Sequence, residues 1–279
     1  MKTNSFAFQG VNGAYSEQAG KNVFPDAKSL PCSTFEEMFA CVRDDKAEIA
    51  LVPIENSQAG RVADTQRLIP DSDLNIIGEY FLEVRHNLLA VPGTNINDIK
   101  RVHSHEQGIA QCRKKIIKLN KQMVIAADTA GSAKKISELN NKEDAAIASS
   151  LAAEIYNLDV LEANFQDAEH NVTRFLIMSK DKSDIEPSES NIITTLVFVV
   201  RSIPASLYKC LGGFASNGVN ITKLESYIHP QGFDVAQFYI DFEGHPKNNS
   251  VKLALEEMKF FCKEIKILGV YKKSNFRKK

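Results

Sequence analysis

No pair of cysteines in this chain stands as CxxC; the five present, Cys32, Cys41, Cys112, Cys210 and Cys262, are scattered and odd in number. That gives no basis for a disulfide framework or a cysteine zinc site and leaves reduced thiols, as in a cytoplasm. Long apolar runs are missing too. LVFVV (196–200) is far too short to span a bilayer, and the opening MKTNSFAFQG has no apolar segment of the kind a secretory signal needs. A soluble, cytoplasmic protein without membrane contact is expected. Neither sign of charge dominates: Lys plus Arg number 34 and Asp plus Glu 35, a net charge of -1, so nothing electrostatic points to nucleic acid. The basic residues from Lys272 to Lys279 are expected to form a solvated tail. GxxxxGK[ST], GxGxxG and HExxH are all absent, and of the histidines only His103 and His105 stand close together, with no third ligand nearby. No metal and no cofactor is expected.

What is present is a repeated pattern. Four times before residue 165 a short apolar stretch runs into small or polar residues and then a helix-like segment: FAF (6–8) into GVNGAYSEQAG, IALVPI (49–54) into ENSQAGRV, MVIAA (123–127) into DTAGSAKKI, and AAIA (145–148) into SSLAAEIY. Apolar strands alternating with helices predict a mostly parallel sheet with ligands at the carboxyl ends of its strands. KDKSDIEPSESN (180–191) reads as a linker. Beyond it the pattern is strand (192–200), helix (204–217), strand (219–228), strand (233–242), helix (250–261) and strand (265–270), with HPQG (229–232) as the hairpin turn. That is the ferredoxin-like βαββαβ order.

The strand-end turns hold the candidate chemistry, because helix N-termini offer unpaired donors and partial positive charge. Gly10, Gly13, Ser16, Asn56, Ser57, Thr129, Ser149 and Ser150 would suit a small ligand with more than one anionic group. Arg174 in NVTRF (171–175) is the candidate cation, since its planar fork can clasp a carboxylate. Strand alternation puts Thr173 and Arg174 on opposite faces, so both reach one ligand only at a strand's end. Glu55, following an apolar run, is a candidate acid. Gln107 and Gln111 share a helical face by their spacing; like His86 and His170, they also fit a purely structural role.

In combination these stretches resemble the monofunctional bacterial prephenate dehydratases, a catalytic domain followed by an ACT regulatory domain. The carriers are FQGVNGAYSEQA (8–19), VPIENSQAGRV (52–62), GEYFLEVRHNLLA (78–90), SHEQGIAQC (104–112), DTAGSA (128–133), AAIAS (145–149) and NVTRF (171–175). The resemblance implies an α/β catalytic domain at 1–181, two-lobed like a periplasmic binding protein with prephenate in the cleft, a linker at 182–191 and an ACT domain at 192–279. It implies decarboxylating dehydration of prephenate to phenylpyruvate in phenylalanine biosynthesis. Thr173 is then the catalytic hydroxyl, with Glu55 or water supplying the proton. Arg174 is the carboxylate anchor, and Asn56, Ser57, Gln107, Thr129, Ser16 and Phe175 bind or orient substrate.

GGFASNGVNITKLES (212–226) resembles the start of the ACT domain, which implies L-phenylalanine as effector near Leu207, Gly218, Asn220, Leu224, Glu225 and Ser226. It also implies a homodimer or homotetramer. Two motifs depart from the family: Pro204, Ala205, Ser206 and Leu207 replace Pro-Gly-Ala-Leu, and Glu225, Ser226, Tyr227 and Ile228 replace Glu-Ser-Arg-Pro. Two other readings stay open, arogenate dehydratase and a non-catalytic small-anion sensor. Prephenate is favoured over arogenate because the chain shows no transit peptide.

Overall fold

The computed structural model describes residues 3–229 and 232–278. Two compact units emerge, Met1–Gln66 with Tyr80–Phe175, and Arg67–Glu79 with Leu176–Lys279.

The first unit contains β1 (Ser5–Gln9), α1 (Tyr15–Val23), β2 (Lys28–Cys32), α2 (Phe35–Arg43), β3 (Ile49–Asn56), β4 (Gly60–Arg61) and most of α3 (Ala63–Leu68). After the end of β5 (Asn75–Glu83) come β6 (Asn87–Ala90), β7 (Arg101–His105), α4 (Glu106–Gln111), α5 (Arg113–Lys118) and β8 (Gln122–Ala126). It closes with α6 (Thr129–Leu139), β9 (Asp144–Ala148), α7 (Ser150–Ile155), β10 (Asp159–Glu162) and the start of β11 (Val172–Ser179).

These strands belong to two sheets. β1 pairs in parallel with β2 and β3, and β11 lies beside β3. The other sheet runs β10-β6-β9-β7-β8, with β7 parallel to β8 and β9, and β6 antiparallel to both its neighbours. Alternation sends Ala145 and Ile147 to a core with Ile109 and Ile116, and Ala146 and Ala148 to another with Ala133, Ile136 and Ala152. With both faces covered, AAIA reads as a continuous apolar run. A further difference follows IALVPI. The strand continues through Asn56 into the β3–β4 hairpin instead of turning into a helix, because Asn56 Oδ1 accepts from the Gln58 and Ala59 N–H groups and closes a tight turn.

The second unit continues with β12 (Ile192–Val200), α8 (Ser206–Ser216), β13 (Ile221–His229), β14 (Gly232–Glu243), α9 (Asn249–Phe261) and β15 (Cys262–Lys272), the βαββαβ order read from the sequence. Its strands run β13-β14-β12-β15, antiparallel at each pairing. Leu196, Phe198 and Val200 face Phe214 of α8 and Val251, Ala254 and Met258 of α9. Residues 230–231 of the expected HPQG turn lie outside the described residues. Residues 180–191, between β11 and β12, carry no helix or strand.

The division differs from the expected boundary of 181 in that Arg67–Glu79 and Leu176–Asp181 group with the C-terminal part. Packing explains part of this: Ile76 of β5 pairs with Gly269 of β15, so closely that a Cβ on Gly269 would sit 2.1 Å from the Ile76 carbonyl oxygen. The basic tail is not simply solvated. Arg277 pairs with the fully buried carboxylates of Glu79 (2.8 Å) and Asp241 (3.4 Å), and Lys273 pairs with Glu243. Among the described residues no helix is long and apolar enough to cross a membrane.

Candidate active site

A cavity of about 990 Å³ opens in the first unit, walled by both of its sheets. The turn from β1 into α1 supplies Gly10, Val11, Ala14, Tyr15 and Ser16; the β3–β4 hairpin supplies Asn56 and Ala59 to Arg61; α4 supplies Gln107 and Gln111; the start of α6 supplies Asp128 and Thr129. Asn171, Thr173 and Phe175 complete the wall, the alternate residues that a strand turns to one face. Gly13 adopts φ +88°, and a Cβ there would lie 2.8 Å from Ala152 Cα, so only glycine lets this turn approach α7.

Polar side chains in this wall join into one chain. Tyr15 Oη lies 2.7 Å from His86 Nδ1, and His86 Nε2 lies 2.7 Å from Gln111 Oε1. Asn171 Nδ2 donates to Gln111 Oε1 (2.8 Å), and Asn56 Nδ2 donates to both Asn171 Oδ1 (2.8 Å) and Thr173 Oγ1 (2.9 Å). Two backbone N–H groups occupy Asn56 Oδ1, so the Asn56 amide has only one sense. Thr173 therefore receives a hydrogen bond and keeps its own proton for the cavity. Burial lowers the His86 pKa below the usual imidazole range, while burial, with Cys112 adding to it, holds the Tyr15 phenol protonated.

The expected site residues separate into two groups. Thr173, Asn56, Gln107, Thr129, Ser16 and Phe175 line the cavity; Arg174, Glu55 and Ser57 do not. The Arg174 side chain is 2% exposed, turned by alternation away from Thr173, and ion-paired with Glu55 at 3.0 Å beside the Phe81 ring. Expected as an anchor and an acid, these two lie outside the cavity lining and are paired with each other. Ser57 instead fastens the start of β11, accepting from Val172 N–H through its hydroxyl and donating its own N–H to the Val172 carbonyl. Among the described lining residues Arg61 is the one guanidinium and Asp128 the one carboxylate. Asp128 caps α6 by accepting from Gly131 N–H. Tyr15 and Asn171 do not stand out in the sequence, which leaves Gln111 and His86 open to a structural role. The shared helical face of Gln107 and Gln111 was the available signal.

Of the residues expected near an effector, Leu207 packs against the α8–α9 core, Gly218 takes φ +65°, and Leu224 is exposed. Asn220 donates to Glu243 (3.1 Å), Glu225 pairs with Lys223 (2.7 Å), and Ser226 is exposed. None of them lines the cavity of about 190 Å³ beside Tyr227 in the second unit.

Residues 6–183 match the family model described as prephenate dehydratase. The chain belongs to the prephenate dehydratase family. A bifunctional N-acyl-homoserine lactone acylase/prephenate dehydratase of Komagataeibacter europaeus is 45% identical over 273 residues, 98% of this chain and 97% of that protein. Arogenate dehydratase/prephenate dehydratase 2 of Arabidopsis thaliana is 38% identical, covering 95% of this chain and 72% of its own. A solved prephenate dehydratase of Arthrobacter aurescens in complex with L-Phe superposes with a TM-score of 0.87 at 31% identity, covering 96% of this chain and 90% of that one. Prephenate dehydratases are lyases, so this is an enzyme family and the non-catalytic sensor is set aside.

Proposed function

We propose that this chain removes water and carbon dioxide from prephenate to form phenylpyruvate, in a catalytic domain with two lobes like those of periplasmic binding proteins. The observation that carries the reading is Thr173, its oxygen occupied by Asn56 and its proton left for a ligand. In the reaction the ring C–O bond breaks and the electron pair of the C–carboxylate bond becomes ring π-bond as carbon dioxide leaves. The departing oxygen takes the Thr173 hydrogen bond, and water supplies its proton because Glu55 is engaged by Arg174. Aromatisation drives the step. Arg61, Ser16, Thr129 and the N-termini of α1 and α6 hold the side-chain carboxylate. The apolar surface of Val84 and Phe175 leaves the ring carboxylate poorly solvated and disposed to go.

The second unit, in this reading, is a ferredoxin-like ACT domain through which L-phenylalanine inhibits, in a cytoplasmic homodimer or homotetramer. Its βαββαβ order and the L-Phe complex of the Arthrobacter relative support the ACT fold and the effector. Arogenate is the second substrate to consider. The Asp128 carboxylate in the cavity wall offers a partner for its amino group, and plant relatives carry the arogenate name.

The test is to incubate purified chain with prephenate and follow phenylpyruvate by its absorbance in alkali, with and without phenylalanine. Rapid formation suppressed by phenylalanine is expected; formation no faster than the uncatalysed rate sinks the reading. Arogenate is run beside it. Asn caps a helix as well as Asp does, so Asp128→Asn leaves the fold intact and lowers the arogenate-to-prephenate ratio if that carboxylate meets an amine.

A further inference from the structure

The hydrogen-bond chain in the cavity wall can be solved for its protons, starting from its backbone end. The Gln58 and Ala59 N–H groups make Asn56 Oδ1 an acceptor, so Asn56 Nδ2 is the donor to Asn171 Oδ1. That leaves Asn171 Nδ2 as donor to Gln111 Oε1. An amide oxygen cannot donate, so His86 Nε2 must carry the hydrogen that points at Gln111. In a neutral imidazole Nδ1 is then bare and accepts from Tyr15 O–H. Burial disfavours the imidazolium and so agrees with this neutral assignment. Tyr15 has a second acceptor near its hydroxyl, the Arg85 carbonyl at 3.2 Å, but His86 Nδ1 is the nearer.

Amide N–H groups do not release protons near neutral pH, so this chain cannot carry a proton from His86 to Thr173. It can hold atoms in place. We propose that the Tyr15–His86 pair is a positioning element that locks the Gln111 amide and, through Asn171 and Asn56, aims the Thr173 hydroxyl into the cavity. The inference rests on the role given to Thr173 above. With Gln111 Oε1 taken by His86 and Asn171, its Nε2 is directed elsewhere, and Gln111 lies in the cavity wall. A wrong tautomer at His86 would set a bare nitrogen against an amide oxygen and release Gln111 to flip.

The first measurement is NMR of the full chain labelled with ¹⁵N-histidine. A protonated Nε2 and a bare Nδ1 at His86 are expected; the opposite tautomer overturns the proposal, whatever the substrate proves to be. The second uses isosteric amides. His86→Gln puts an N–H where Nε2 stood, whereas His86→Asn puts one at the Nδ1 position, short of Gln111. Asn is expected to lower kcat roughly ten- to a hundredfold by letting the hydroxyl drift from its alignment, while Gln stays within about a factor of five. Equal losses in the two variants, at equal urea midpoints, would reduce His86 to packing, and unchanged kcat in both would show that Thr173 is aimed without it. If the wild type turns over neither prephenate nor arogenate, the assigned reaction falls, and the tautomer still decides the proton pattern.

Discussion

The polar chain from Tyr15 to Thr173 contains no carboxylate and no guanidinium, whereas the cluster that Arg277 closes in the second unit is held by charge. Glu79 accepts from Arg277 through both carboxylate oxygens and from Ser274 N–H; Asp241 accepts from Thr195 as well as Arg277, and Thr195 lies 2.8 Å from Tyr271 Oη. A buried charge has to be saturated by its own protein, since each unmet ion costs several kcal/mol. Neutral amides and hydroxyls leave smaller debts when one position is unfilled, about 1–3 kcal/mol. This difference separates a brace from a site. The charged cluster is buried, and the neutral chain leaves Thr173 and Gln111 on a cavity wall.

The largest effect should come from opening the charged cluster. Arg277→Ala leaves Glu79 and Asp241 buried without that cation and is expected to cost about 3–5 kcal/mol in urea unfolding; a loss below about 1 kcal/mol, the range of exposed pairs, would show that the tail contributes as a surface pair does. In the neutral chain the cost should appear in turnover instead. Thr173→Ala is expected to lower kcat about 10²–10³-fold while binding substrate within roughly tenfold of wild type, read from steady-state rates and calorimetric titration.

Asp144 stands between the two plans, a carboxylate gripped by Arg101, His103 and Asn141. The Arg101 hydrogen bonds lead in holding its pKa down to about 2. The folded value is below the unfolded one, near 3.9, so the stabilisation is complete above about pH 4 and drains away as pH falls toward 2, about 2 kcal/mol in all. Wild type and Asp144→Asn should differ by that amount at neutral pH and converge over that acid range; a constant gap would argue against the charge as its cause. Smallest of all, Tyr15→Phe removes one neutral hydrogen bond and should cost about 1 kcal/mol of stability. A cost matching that of Arg277→Ala would erase the contrast between the clusters.

Local signals carried much of the fold. β12 begins and ends where the apolar run does, α9 lies within a residue of the expected span, and Thr34, Asp128 and Ser149 cap the helices that follow them. Alternation along NVTRF already separated Thr173 from Arg174, and the fold honours it. What the strand pattern could not show is the partner of Arg174, Glu55, 119 positions away in sequence. The tail misled for the same reason: five cations in eight residues read as solvated until Glu79 and Asp241 are placed against Arg277.

By itself, the sequence determined the βαββαβ order of the second unit, the family, and the alternation that sets Thr173 and Arg174 on opposite faces. Period, caps and turns act over a few residues, and a motif is read in one dimension. Only the tertiary structure decided that His86 and Asn171 meet at Gln111, that Gln111 joins Gln107 in the wall, and that Arg174 meets Glu55. Those depend on hydrogen bonds between residues 25 to 119 apart, and a bond that weakens within a few tenths of an ångström is set by how whole elements pack.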